Sequence, residues 1–133
     1  MRMMQTNFLL GEWIIDDATT DDTMPVLMRD MDSQTYIPKK DILIRFTERG
    51  ELTYSSPVLG PHPFIYMRYQ LVNNKLITRM HGIPYERKYE VEPLPDGRLH
   101  ITGSNDASAN EFIGRREMFL KRYVPEKGSG KQE

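Results

Sequence analysis

Arginines and tyrosines carry the chemistry open to this chain. Tyr85, Arg87 and Tyr89 alternate with Glu86, Lys88 and Glu90, so one face of that segment holds both tyrosines, Arg87 and Val91. If that face is buried, Arg87 is buried with it, and an arginine in apolar surroundings is costly unless it is paired. An inward Arg87 flanked by phenols reads as an anchor for the polar or anionic end of a ligand. The plainer alternative is an internal pair with a glutamate or tyrosine. Arg68 raises the same question beside Phe64 and Tyr66, whereas Ile65, Met67, Tyr69 and Leu71 form an equally good apolar face on the same segment. A one-residue change of face reverses every such assignment. Tyr54, Met80 and Met118 complete the expected pocket wall with Tyr66, Tyr85, Tyr89, Arg87 and Arg68.

Other chemistries find less support. His62, His81 and His100 are far apart and show no metal-ligand spacing, so no metal is expected. Asp16, Asp17, Asp21, Asp22, Asp30 and Asp32 lack the glycine and terminal glutamate of a calcium loop and read as a solvated segment. Ser55, Ser56, Ser104 and Ser108 sit in no nucleophile-elbow context, and no glycine-rich phosphate loop is present. Cysteine is absent, which excludes a thiolate nucleophile, a disulfide and a cysteine-based zinc site. No cofactor is implied.

The elements that must position these residues are short strands. Leu9 to Ala18 is the first. Ile42 to Thr47 and Leu52 to Ser56 make a hairpin about Glu48-Arg49-Gly50-Glu51, with Leu52 and Tyr54 on one face. Phe64 to Val72 and Lys75 to His81 make a second hairpin about Asn73-Asn74, a pair suited to positive φ. Tyr85 to Glu92, Arg98 to Gly103 and Arg115 to Val124 follow, the first two joined by the turn Pro95-Asp96-Gly97. Leu99 and Ile101 point inward and His100 outward. The segment from Asp16 to Lys40 is a long connection, with a helical turn expected near Val26 to Asp30, and it reads as a lid. Eight strands joined largely as consecutive hairpins predict an all-β, up-and-down antiparallel barrel. Such a barrel either fills with side chains or holds one small ligand. It would occupy residues 1–124, with 125–133 as a disordered tail.

Composition agrees with one such domain. The chain has 133 residues, 38% hydrophobic and 28% charged, with a net charge of −1, and its charges are mixed. No basic stripe of a nucleic-acid binder stands out. No apolar run approaches the roughly 20 residues that span a bilayer. The N-terminus lacks a signal-peptide pattern, so a cytoplasmic location is expected, with a secreted mature fragment left open. Of nine methionines, Met1, Met3, Met4, Met24, Met28 and Met31 fall outside the expected strands, leaving Met67, Met80 and Met118 as strand candidates.

The pattern also resembles a known group. Leu10-Gly11-Glu12-Trp13 is similar to the Gly-x-Trp signature on the first strand of lipocalin-like (calycin) domains. Phe46-Thr47-Glu48-Arg49-Gly50-Glu51-Leu52 resembles the hairpin of small bacterial members. Tyr69 to Leu76 resembles their Tyr-x-Leu-x-Asn-Asn-x-Leu segment, and Tyr89 to Thr102 and Met118 to Arg122 resemble their closing strands. The resemblance implies that Trp13 closes the barrel floor, with Arg122 lying across it and Gly11 giving room. The first function expected of such a barrel is binding of a small apolar or amphipathic molecule between these pocket walls. A cofactor-free barrel enzyme, a cyclase or isomerase acting on an enclosed intermediate, is the alternative, and a solidly packed interaction domain is a third. A homodimer through an outer face stays open.

Overall fold

Alternating apolar and polar residues set the barrel strands, and tight turns fix their register. The computed structural model describes residues 7–19, 21–27, 34–104 and 111–124. Among these residues are ten strands: β1 (Gly11–Ile15), β2 (Thr23–Leu27), β3 (Gln34–Pro38), β4 (Leu43–Phe46), β5 (Glu51–Ser55), β6 (Ile65–Val72), β7 (Lys75–Met80), β8 (Arg87–Pro93), β9 (Leu99–Gly103) and β10 (Glu117–Arg122). Eight of them close an antiparallel barrel in the order β1-β10-β9-β8-β7-β6-β5-β4, and β2 and β3 form a separate two-stranded sheet. All eight strands expected from the sequence are the barrel strands, and from β4 to β10 each pairs with its neighbour in the chain.

Both expected hairpins are present. Asn73 and Asn74 take φ of 51° and 65°, the left-handed pair that a two-residue turn between twisted strands requires. In the other hairpin Gly50 has φ 81°, and the Thr47 hydroxyl oxygen accepts the Glu51 N–H at 3.1 Å. The Asn73-Asn74 turn pairs Met67 with Met80, Tyr69 with Thr78 and Leu71 with Leu76. Leu76 and Thr78 are buried, so Met67 and Tyr69 face inward with them. Tyr66 and Arg68 therefore lie on the outer face, and their expected place on the pocket wall is corrected. The physical reason is the register: Arg68 pairs with Arg79, and turning that face inward would bury two guanidinium groups side by side.

The long connection after β1 also differs from expectation. Val26 lies in β2 and pairs with Thr35, so the expected helical turn does not begin there, and its residues 28–30 lie outside the described ones. β-branched Thr23, Val26, Thr35 and Ile37 favour the pleated backbone. Ile37 is fully buried, and Met24 and Val26 pack against the same core. The expected tail at 125–133, together with Met1, Met3, Met4, Met28, Met31, Asp30, Asp32 and Ser108, lies outside the described residues.

The core fills the barrel from its floor upward. Leu9, Ile42, Ile44, Leu52, Leu76, Met118 and Leu120 have no accessible surface, and Trp13, Phe46, Leu99 and Ile101 keep only 1%. A side chain with no accessible surface touches neither solvent nor a void large enough for water. At the floor the Arg122 guanidinium lies 3.9 Å from the centre of the Trp13 ring. The indole N–H donates to the Leu9 carbonyl at 2.8 Å. Gly11 is needed beneath this stack: its φ is 115°, and a Cβ there would sit 2.6 Å from Arg122 Nη1. Tyr69 closes the same end, donating to the Thr47 carbonyl at 2.8 Å and packing edge-on against Phe46. Among the described residues no helix is long and apolar enough to cross a membrane.

Candidate functional site

The end of the barrel opposite Trp13 gathers most of its inward polar groups. β5 brings Tyr54, β7 brings Thr78, and β8 brings Arg87 and Tyr89. Tyr54, Tyr89 and Thr78 are buried, Arg87 and Met80 half-buried. Tyr89 donates to the Glu111 carbonyl at 3.0 Å, and Arg87 Nη1 donates to the same carbonyl at 3.3 Å. The Tyr54 hydroxyl makes no hydrogen bond with another described residue, although the side chain is only 5% exposed. Burial pushes the Tyr54 phenol well above its usual range, Tyr89 adds to that rise, and the Arg87 charge opposes it. Burial likewise raises Tyr89, against the opposing pull of Arg87 and Thr78. Both phenols therefore stay protonated at neutral pH and serve as hydrogen-bond donors rather than bases.

Phe112 stoppers this end. Its ring meets Tyr54 and Tyr89 edge-on, with centroids 5.9 and 5.3 Å apart, and it is 1% exposed. The stopper stands on a two-residue turn: Phe112 and Arg115 exchange backbone hydrogen bonds of 2.7 and 3.1 Å across Ile113 and Gly114. Ile113 has φ 50°, an uncommon and strained conformation for a β-branched residue. The compensation is burial, since Ile113 is only 5% exposed. Arg115 fastens the turn to the connection after β1. It donates to Asp17 at 3.0 Å and pairs with Asp22, which also holds buried Lys39 at 3.2 Å.

The acidic segment is therefore only partly a solvated run. Asp16 pairs with Arg98 at 3.0 Å, and Asp17 and Asp22 clamp the stopper. Burial raises the Asp22 carboxyl, but hydrogen bonds from Arg115 and Lys39 outweigh this and hold it below its ordinary 3.8. A depressed carboxylate contributes stability above its unfolded value and loses it as the pH falls through the folded value. Asp22→Asn is expected to be less stable than wild type at pH 7 by about 1 kcal/mol, the size of a partly exposed pair. In urea unfolding the difference should shrink as the pH drops below 3.8. A gap that stays constant down to pH 2 would show that the charge is not what holds the clamp.

The structure brings together Tyr54, Tyr89 and Arg87 from the expected set. Met80 lies at the same end of β7, and fully buried Met118 pairs with Ile101 in the filled part of the barrel. Tyr85 is corrected. It is 46% exposed and precedes β8, because Gly82, at φ 86°, and Pro84 keep the chain in a turn until Arg87. Phe112 and Thr78 were not legible as site residues. Phe112 stands between the expected strands Arg98 to Gly103 and Arg115 to Val124, in a stretch with no alternation, and only its apolar neighbour Ile113 marks it. His100 points outward, 2.7 Å from Glu117 and stacked on Phe119. Among the described residues no three His, Asp or Glu side chains are grouped as metal ligands. No protein-family model, curated protein or solved structure matches the chain.

Proposed function

We propose that this chain is a lipocalin-like binding protein, taking a small, largely apolar molecule with one polar or anionic end into the stoppered half of its barrel. The observation that carries this reading is the Tyr54 hydroxyl, a buried donor with no hydrogen-bond partner among the described residues. An unsatisfied buried hydroxyl costs about 1–3 kcal/mol and invites an acceptor. Beside it, Tyr89 and Arg87 both donate to the Glu111 carbonyl, with Thr78 and Arg87 also hydrogen-bonding the Tyr89 hydroxyl, and a ligand carboxylate or sulfonate would be a stronger acceptor than that carbonyl. The apolar part of the ligand would take the place of the Phe112 ring between the two tyrosines. Sites of this kind are mostly apolar with a few placed polar groups.

One observation favours a different reading. The lower interior is filled, which suits a solid barrel that acts through its outer surface. Titration with 1-anilinonaphthalene-8-sulfonate, an apolar ring system bearing one anion, separates the two. The binding reading expects one probe per chain, about tenfold weaker binding in Arg87→Ala, and weaker binding in Tyr54→Phe. No saturable binding by wild type or by an opened variant would leave the solid barrel standing.

A further inference from the structure

On the outer face of β6 and β7 two arginines stand directly opposite each other: Arg68 pairs with Arg79. Like charges in that relation destabilise a sheet, so an arrangement that leaves both without counter-charges calls for an explanation. Among the described residues no carboxylate lies within ion-pair distance of either guanidinium. Arg68 donates to the Arg49 carbonyl at 3.2 Å, and the Arg79 guanidinium makes no hydrogen bond with another described residue. Glu51 is the register partner of Arg68 on β5 yet makes no ion pair with it, and Glu86 flanks the far side. Arg49, His81 and Lys88, which pairs with Ile77, complete the charged surroundings, so cationic and imidazole groups outnumber the two glutamates.

Two shallow grooves flank the pair and share it. One, of about 270 Å³, is bounded by Glu51, Tyr66, Met67 and His81 in addition to both arginines. The other, of about 260 Å³, runs past Tyr69, Gln70, Ile77 and Glu86. Tyr66 sits one pleat from Arg68 on the same face and is 61% exposed, a large aromatic surface left beside two unneutralised guanidiniums.

We propose that this face binds a soluble aryl phosphate, with the phosphate across Arg68 and Arg79 and the ring against Tyr66. Each guanidinium presents a planar fork of donors. One carboxylate offers two oxygens and one charge, enough for a single fork. A phosphate monoester offers three oxygens and close to two charges, enough to serve both forks and to cancel their mutual repulsion. Tyr66 supplies a ring for stacking, which is tolerant of the partner's identity.

The test is a titration of full-length wild-type protein with phenyl phosphate at low salt, followed by amide chemical shifts. Saturable shifts are expected along β6 and β7, weakening as salt is added. Arg68→Ala with Arg79→Ala should reduce affinity at least tenfold. Tyr66→Ala should bring phenyl phosphate down to the affinity of inorganic phosphate. Arg79→Thr should melt no lower than wild type, so that lost binding is not lost fold. Arg87→Ala should leave the shifts of the outward residues around Arg68 and Arg79 unchanged, because its guanidinium serves the opposite face of the sheet. Shifts scattered over the surface, binding unaffected by the arginine substitutions, or binding lost in Arg87→Ala would each overturn the proposal. The last result would place the anion inside the barrel instead.

Discussion

Trp13→Ala is expected to cost about 4 kcal/mol, in the range for emptying a fully buried aromatic site. For a chain of this length that is a fall of roughly 15 °C in melting temperature. The indole is 1% exposed, its N–H holds the Leu9 carbonyl, and the Arg122 guanidinium covers its face. Arg122→Met keeps much of the covering volume and removes the charge, so it should cost about 1 kcal/mol, as a cation–π contact does. Gly11→Ala attacks the same stack from below. The new Cβ would meet Arg122 Nη1 at 2.6 Å, on a backbone at φ 115°. Urea midpoints would rank the three, and a double-mutant cycle would show whether Trp13 and Arg122 act as a unit. A Trp13→Ala midpoint within experimental error of wild type would show that the floor does not depend on the indole.

Phe112→Ala has two expected effects of opposite value. It should lower stability by about 3 kcal/mol, the low end for a buried phenylalanine, because a turn relaxes more easily than a strand. It should also unmask the site. With the ring gone, Tyr54, Tyr89 and Thr78 line an opening that 1-anilinonaphthalene-8-sulfonate can enter, and binding should be faster and tighter than in wild type. The wild-type association rate would then be limited by movement of the 111–116 segment rather than by diffusion. Because an emptied apolar site can accept an aromatic ring on general grounds, the decisive readout is charge. An uncharged naphthalene should bind Phe112→Ala more weakly than the sulfonate does, and Arg87→Ala should erase that difference. Equal binding of the two probes would leave a cavity without a polar anchor.

The barrel was legible because its signals are local and repeated. Alternation gave the strands, and Asn73-Asn74 gave one register outright. From that register the inward face of β6 follows, but only after Leu76 and Thr78 are known to be buried, and burial of β7 is a property of the closed sheet. The sequence alone left the two faces of Phe64 to Val72 level, which is why Arg68 and Tyr66 stood as pocket candidates. Tyr85 misled for a different reason. The alternation that includes it runs on beyond the strand, and Pro84 with Gly82 outweighs the pattern. The stopper was illegible because it depends on contacts across the fold: Phe112 meets Tyr54 and Tyr89, and Arg115 reaches Asp17 and Asp22. Nothing in the spacing of those residues connects them. The sheet of β2 and β3 was hidden because Pro25 and Pro38 interrupt its β-branched residues, though both are compatible with an isolated two-stranded sheet where few ladder bonds are required.

The seam between β1 and β10 has a consequence for how the protein is made. β1 pairs with β10 along one edge and with β4 along the other, so Trp13 faces Arg122 from opposite ends of the chain. During synthesis, β4 to β9 can zip as successive neighbours while β1 keeps one bare edge. Only when Glu117 to Arg122 has left the ribosome can that edge be covered and the floor stack form. Until then the nascent chain carries an open, apolar strand margin of the kind that pairs with other chains. The barrel thus closes only when β10 pairs with β1: a chain lacking Glu117 to Arg122 would keep the hairpins from β4 to β9 yet remain an open sheet.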